Sequence, residues 1–189
     1  HVPGLRVVMP SSVQDARDLL IASVLCEDPV IYIDDRWLYE QEEEIDPISE
    51  KRIEYFQPKC ILKGSDITVV GNSFSTLLAR QLKLDLEEKH KIDAEIIDLR
   101  SINPLNTEII EKSVRKTRRL LVIDGSWKSC GISAEIIASV VEKVPLQLFR
   151  HPPRRITLPN SPAPSSPIHE EIYYPSSSYI LSETLKIFN

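Results

Sequence analysis

The sequence predicts an α/β fold: a three-layer α/β/α sandwich with a mostly parallel sheet, preceded by a partial βαβ unit. Two observations predict it. From Ile67 onward, short apolar runs typical of buried strands alternate with amphipathic segments typical of helices. Near the start, a strand, a helix and a second strand follow one another within roughly 35 residues. Because parallel strands need a crossover between them, this rhythm favours parallel pairing.

The partial unit begins with the apolar run at residues 5–9. Ser12 and Asp15 then form a capping box, in which each side chain satisfies a backbone N–H of the first helical turn. The helix is predicted to end near Cys26, and residues 30–33 form the second strand.

The main series contains predicted strands at residues 67–70, 94–99, 120–123 and 146–149. Helices are predicted at 76–89, at 132–143, and from a cap at Asn106 or Thr107 to about Lys116. The prolines of residues 150–167 exclude regular structure there, and residues 177–188 form a last helix. The predicted organisation is residues 1–40 as the end of one domain, 41–60 as an acidic linker and 61–189 as a second domain. Since the chain opens on His1 and enters a strand at once, we expect it to begin part-way through a larger protein.

Composition excludes several classes of protein. The chain has 189 residues, a net charge of −5 and a pI near 5.5, so bulk attraction to nucleic acid is not expected. No apolar run approaches the ~20 residues that span a bilayer, which argues against a membrane protein. Three scattered cysteines, Cys26, Cys60 and Cys130, favour a reducing compartment, the cytoplasm or an organelle matrix.

The loop after the strand at residues 120–123 raises the question of a phosphate site, because Gly125 and Gly131 flank it. A Walker loop needs a lysine followed by Ser or Thr after its second glycine, and a dinucleotide loop needs GxGxxG; neither pattern is present. We therefore interpret the glycines as a bend from strand to helix, with Trp127 at the end of the sheet.

Three motifs then occur in order: IDLRSINPL at residues 97–105, VIDGSW at 122–127 and GISAEI at 131–136. This series resembles the C-terminal domain of transketolase-like proteins, and most closely the β subunit of thiamine diphosphate-dependent 2-oxo acid dehydrogenases. The segments HVPGLRVVMPSS and PVIYIDDRWLY are similar to the last third of that family's pyrimidine-binding domain. Cys130 and the proline-rich tail depart from the family pattern, which leaves the substrate and the partner open.

The resemblance implies a function. The chain would be the C-terminal part of such a β subunit, of pyruvate or branched-chain type, that serves assembly and partner docking. Thiamine diphosphate and magnesium would bind in the full assembly, through segments that this sequence does not contain, so the chain alone should be inactive. The implied partners are further copies of the chain, an α subunit and the acyltransferase core of a multienzyme complex.

The resemblance also carries site residues. His1 matches a histidine that lines the active site in these enzymes, where an imidazole can exchange protons near neutrality. Ser23, Cys26 and Asp28 match a loop that binds potassium in some relatives, although a thiol is a poor ligand for a hard cation. From their place after a strand, Asp98 and Arg100 are interpreted as an internal ion pair or a ligand contact.

An obligate subunit should expose a core-like apolar face, and Trp127, Ile132, Ile136 and Ile137 are its predicted members. Two alternatives stay open. One is a fragment of a transketolase or deoxyxylulose-phosphate synthase. The other, of a different class, is a flavodoxin-like binding or regulatory module that is monomeric and binds a ligand at the strand carboxyl ends.

Overall fold

The computed structural model describes residues 1–48 and 55–188. In chain order the elements are β1 (Arg6–Val8), α1 (Val13–Leu25), β2 (Val30–Tyr32), β3 (Lys59–Leu62), β4 (Ile67–Gly71), α2 (Phe74–His90), β5 (Ala94–Asp98), β6 (Ser101–Asn103), α3 (Glu108–Thr117), β7 (Leu120–Trp127), α4 (Ile132–Lys143), β8 (Arg154–Leu158), α5 (Pro167–Tyr173) and α6 (Ser177–Leu185).

The strands form two sheets. The larger sheet has the order β3-β5-β4-β7-β8, and the smaller one has the order β2-β1-β6. In the larger sheet only β3 runs antiparallel to its neighbour among the described strands. The predicted α/β fold with a mostly parallel sheet is therefore confirmed.

Two apolar layers cover the larger sheet. Alternate strand residues point to opposite faces, so Val69 and Ile96 join one core cluster while Val70 and Ile97 join the other. Helices α2 and α6 pack on the first face through residues such as Leu86, and α3 and α4 pack on the second. This is the predicted three-layer sandwich.

The smaller sheet is joined to the larger one by a continuous stretch of chain. Strand β5 leaves the larger sheet at Asp98, and only Leu99 and Arg100 separate it from β6 in the smaller sheet. Arg100 has a φ of 59°, and its carbonyl accepts a hydrogen bond from the Met9 backbone N–H at 2.9 Å. Pairing of β1 with β6 thus links residues 1–40 to residues 61–189. The division of the chain into two domains at this boundary stays a prediction.

Two predictions near the tail are wrong. The predicted strand at residues 146–149 is a short 3₁₀ helix, Leu146–Leu148. The sheet is instead completed by β8, inside the segment that was expected to lack regular structure. The prolines there flank the strand rather than interrupt it, since Pro153 precedes Arg154 and Pro159 follows Leu158. They therefore leave the hydrogen bonds of β8 to β7 intact.

The predicted linker, residues 41–60, is partly described. Residues 49–54 lie outside the described residues, residues 41–48 are exposed, and Lys59 already belongs to β3. Among the described helices, none is long and apolar enough to cross a membrane.

Only one of the two hydrogen bonds of the predicted capping box is present. The Asp15 backbone N–H donates to the Ser12 hydroxyl at 3.1 Å, as expected for a helix N-cap. The Asp15 carboxylate does not return the bond, because it pairs with the Arg100 guanidinium instead.

The predicted apolar face is also wrong in part. Ile136 is fully buried in the core beneath α4, and Ile132 and Ile137 pack against the same cluster. Trp127 is half-exposed, with its indole N–H bonded to the Ser161 carbonyl at 2.8 Å. Other exposed apolar side chains include several in α1 and β2, which are described below.

Candidate functional site

A cavity of about 1020 Å³ lies at the carboxyl end of the larger sheet. We name it the sheet-end cavity. It is lined by the residues after β4, by the second half of β7, by the start of α4, by part of α5, and by residues 174–177, which lead into α6. Met9, Asp35 and Trp37 from the first part of the chain complete it.

The turn from β4 into α2 forms one wall. A Cβ on Gly71 would lie 2.8 Å from the Thr76 backbone nitrogen, so only glycine lets the helix begin this close to the strand. Ser73 follows with a φ of 49°, a conformation that non-glycine residues rarely adopt. Ser73 lines the cavity, and its hydroxyl is buried and has no hydrogen-bond partner among the described residues.

The loop after β7 is organised by Asp124. Its carboxylate accepts hydrogen bonds from the Ser133 backbone N–H at 2.9 Å and from the Ser126 hydroxyl at 2.8 Å. A Cβ on Gly131 would lie 2.3 Å from the Trp127 carbonyl oxygen, which explains the glycine. The chain's own carboxylate therefore fills the N-terminus of α4, where a phosphate loop would hold its ligand. The interpretation of this loop as a bend is confirmed.

An aromatic cluster forms a further part of the wall. The Trp37 ring lies 5.3 Å from the Phe74 ring and 5.4 Å from the Tyr174 ring, measured between centroids. These distances are typical of attractive aromatic contacts. The cluster joins the 3₁₀ helix at residues 36–38 to the start of α2 and the end of α5.

The charge of the cavity is negative. Its described lining contains four acidic residues and no Lys or Arg; the acids are Asp35, Asp124, Glu170 and Glu171. A diphosphate would meet repulsion here with no cation to offset it. The residues present do not fit thiamine diphosphate.

The structure does not bring the predicted site residues into this cavity. His1 is exposed at the start of the chain, and Ser23, Cys26 and Asp28 lie at the end of α1 and in the turn after it. The Asp28 carboxylate is paired with Arg6 at 2.7 Å, and the Ser23 hydroxyl donates to the Leu19 carbonyl at 2.6 Å. Within residues 1–48 and 55–188, no three His, Cys, Asp or Glu side chains converge on a metal position. The roles of these four residues stay predictions.

Asp98 and Arg100 belong to a buried polar cluster between the two sheets. Asp98 accepts hydrogen bonds from the Ser11 hydroxyl at 2.5 Å and from the Thr76 hydroxyl at 3.2 Å. The Arg100 backbone N–H adds a third at 3.3 Å, while the Arg100 guanidinium pairs with Asp15. The expected internal ion pair is present, but its acid is Asp15 rather than Asp98.

Comparison with known proteins identifies the family. Residues 59–180 match the family model described as "Transketolase, C-terminal domain". The chain belongs to the transketolase C-terminal domain family.

Similar proteins of this family are β subunits. The chain is 37% identical over 181 residues to "2-oxoisovalerate dehydrogenase subunit beta 2, mitochondrial" of Arabidopsis thaliana, covering 96% of this chain and 49% of that protein. It is 35% identical over 188 residues to "Acetoin:2,6-dichlorophenolindophenol oxidoreductase subunit beta" of Bacillus subtilis, covering 98% and 54%. It is 31% identical over 190 residues to "Pyruvate dehydrogenase E1 component subunit beta, mitochondrial" of Saccharomyces cerevisiae, covering 100% and 52%. The chain thus spans about half the length of these relatives.

A solved structure has the same fold. It is titled "Split gene transketolase, inactive beta4 tetramer" and matches with a TM-score of 0.72 at 18% sequence identity. The match covers 98% of this chain and 58% of that chain. At this identity it supports the transketolase-like architecture and nothing finer.

Sequence reasoning missed the sheet-end cavity of this transketolase C-terminal domain. The triplet Gly71-Asn72-Ser73 directly after a buried strand was the available signal, since strand carboxyl ends present functional groups in open α/β sheets. Trp37 and Tyr174 gave no signal, because they lie 137 positions apart, the difference between their residue numbers. Only the tertiary fold brings their rings together.

Burial raises the pKa of the Asp98 carboxyl to about 6 from its ordinary value of 3.8, although the Ser11 hydrogen bond and Arg100 oppose the rise. Between pH 4 and pH 6 the folded chain therefore keeps a proton on Asp98 that the unfolded chain has lost. Folding stability contributed by this group falls as pH rises through that interval, and the loss is complete above the folded pKa. Its full size is on the order of 3 kcal/mol.

We predict that Asp98→Asn becomes more favourable relative to the wild type as pH rises from 4 to 6. The difference in free energy of unfolding between the two proteins should change by on the order of 3 kcal/mol and then level off. Urea unfolding at a series of pH values measures it, and the lost hydrogen bonds only add a constant offset. A difference independent of pH would show that Asp98 does not titrate in this range.

Proposed function

We propose that this chain forms the C-terminal part of the β subunit of a thiamine diphosphate-dependent 2-oxo acid dehydrogenase, of the pyruvate or branched-chain type. Its own work would be subunit assembly and partner docking. The observation that carries the proposal is similarity along nearly the whole chain to β subunits of twice its length. A resemblance of this extent supports a shared mode of assembly.

An exposed apolar surface supports the assembly role. Along α1, Leu20 is 50% exposed and Val24 is 75% exposed, and these residues lie on one helix face at i, i+4 spacing. Ile31 of the edge strand β2 is 44% exposed, and Ile33 just after it is 39% exposed. An apolar edge strand is a template for pairing with further chain. We name residues 20–33 the assembly segment.

The partners follow from this proposal. The assembly segment would be covered by further copies of the subunit, with an α subunit completing the enzyme. The proline-rich tail would reach the α subunit or an acyltransferase core. Cytoplasm or an organelle matrix would be the compartment, and two of the similar β subunits carry the word mitochondrial in their names.

The cofactor would be held elsewhere in the full assembly. When bound, thiamine diphosphate with magnesium supplies the carbanion that attacks a 2-oxo carbon. The acidic sheet-end cavity does not suit its diphosphate, which supports the proposal that this chain alone is inactive.

Two alternatives differ in their support. The Bacillus subtilis acetoin oxidoreductase β subunit is nearly as similar as the branched-chain subunit, at 35% against 37% identity, so an acetoin-type enzyme is the second candidate. The transketolase-type ketol transferase rests on fold likeness at 18% identity. The family match favours all of these over a flavodoxin-like module.

We predict that the purified chain associates with itself, and that Val24→Asp with Ile31→Asp shifts it toward the monomer. An aspartate buried in an interface carries an uncompensated charge, so the two substitutions should weaken self-association by at least about tenfold. Light scattering over a concentration series measures the change. Leu84→Asp is the matched control, because Leu84 is 58% exposed on α2 outside the assembly segment. A wild-type monomer at every concentration, or an equal effect of the control, would contradict the proposal.

We predict that His1→Ala, made in the enzyme assembled from full-length subunits, lowers kcat by roughly 10²- to 10⁴-fold while cofactor affinity changes little. This is the usual contribution of a side chain that transfers protons in the reaction. Steady-state kinetics and a cofactor titration separate the two effects. Unchanged turnover would remove His1 from the active site.

A potassium ion bound at Ser23, Cys26 and Asp28 would have to replace the Arg6 guanidinium as the partner of the Asp28 carboxylate. We predict a higher Tm in potassium chloride than in sodium chloride at equal ionic strength, by about 2–4 °C for each kcal/mol that the bound ion adds to the free energy of unfolding. Asp28→Ala should abolish the difference. Equal Tm values of the wild type in both salts would end the proposal.

A further inference from the structure

The sheet-end cavity lies at the topological switch point of the larger sheet. From β4 the chain adds β5 on one side, and it later adds β7 on the other side of β4. The crevice between the carboxyl ends of two such strands is where open α/β sheets bind ligands. Asn72 after β4 and Asp124 in β7 both line this crevice. At about 1020 Å³ the cavity has the size of a small-molecule site.

A polar atom in this wall lacks a partner. The Ser73 hydroxyl is buried, since the residue is 1% exposed, and it has no hydrogen-bond partner in the described chain. Leaving a buried hydroxyl unpaired is unfavourable, because it has lost its hydrogen bonds to water without replacing them. Beside it, the Asn72 amide nitrogen lies 3.4 Å from the Met9 sulfur, which is a weak acceptor. A ligand that donates a hydrogen bond to Ser73 would recover this cost.

The negative charge of the cavity favours a positively charged ligand. Its described lining carries acids and no Lys or Arg, and the N-terminus of α4 is already occupied by the Asp124 carboxylate. Phosphates and carboxylates are therefore disfavoured. A cation would be attracted by Glu170 and Glu171, which lie on α5 at the edge of the cavity.

The aromatic cluster selects the shape of the ligand. Trp37, Phe74 and Tyr174 form a wall of ring faces and edges, and the indole of Trp37 is 55% exposed. Such a wall binds flat apolar groups and, through cation–π attraction, ammonium groups.

We propose that the sheet-end cavity binds a small organic cation, a primary amine on an aromatic or aliphatic body. The ammonium group donates to the Ser73 hydroxyl and is neutralised by the acids of α5, while the body packs against Trp37 and Tyr174. This site is separate from the proposed assembly segment and does not depend on it. It would make the domain a receptor for an amine in addition to a structural part.

The test compares three probes of nearly equal shape by isothermal titration calorimetry on the 189-residue chain. They are 2-phenylethylammonium, neutral 2-phenylethanol and anionic 3-phenylpropionate. We expect the ammonium to bind about tenfold tighter than the alcohol and the carboxylate to bind weakest. Raising the salt from about 0.01 M to about 0.3 M should weaken ammonium binding and leave the alcohol unchanged.

Variants locate the binding in the cavity. Trp37→Leu should weaken ammonium binding by about 3- to 30-fold, and Glu170→Gln with Glu171→Gln should reduce its preference over the alcohol. Ser73→Gly tolerates the positive φ and removes the hydroxymethyl side chain, so it tests the hydroxyl contact without backbone strain. Glu88→Gln, an exposed acid at the far end of α2, is the matched control and should change nothing. Circular dichroism verifies that each variant is folded.

Three results would overturn the proposal. One is equal affinity for the three probes. Another is no heat of binding for the ammonium at millimolar concentration. The last is ammonium binding that folded Trp37→Leu and Ser73→Gly variants leave intact, which would place the amine elsewhere on the chain.

Discussion

The buried contact between Arg100 and Asp15 is the constraint on which the rest of the structure depends. Arg100 stands where the chain passes from the larger sheet into the smaller one, and Asp15 lies in the first turn of α1. Both side chains are about 8% exposed, so each charge would be costly without the other. Asp98 beneath them receives hydrogen bonds from Ser11 on one side and Thr76 on the other. This polar cluster holds the two sheets together and so positions Met9 and Trp37 over the carboxyl end of β4.

A feature was predictable from the sequence when the residues that form it lie close together in the chain. Buried strands such as β4 and β7 were predictable, because a short continuous apolar run between helical segments is compatible with few structures other than a strand. The run Leu146–Phe149 is too short to distinguish a strand from a 3₁₀ turn, and β8 was hidden by the prolines that flank it. Asp98 and Arg100 were recognised from their place after a strand. The acid that pairs with Arg100 lies 85 positions away and was predicted to cap its own helix.

The site was less predictable than the fold for the same reason. Gly71 and Gly131 each allow a helix N-terminus to approach a strand end, and a glycine in a sequence does not reveal what approaches it. The aromatic cluster combines residues from three distant segments. The proposed assembly segment, by contrast, is local. Its apolar residues within residues 20–33 look like an ordinary core pattern, and only the structure shows that several of them are 39–75% exposed.

A double-mutant cycle between Asp15 and Arg100 tests the central claim most directly. The free energy of unfolding would be measured for Asp15→Asn, Arg100→Gln and the double variant. Each single change leaves a buried charge unpaired and should cost about 3–5 kcal/mol, whereas the double change should cost about 1–3 kcal/mol less than their sum. Costs that add within about 0.5 kcal/mol would show that the two residues are not coupled and that another contact joins the sheets.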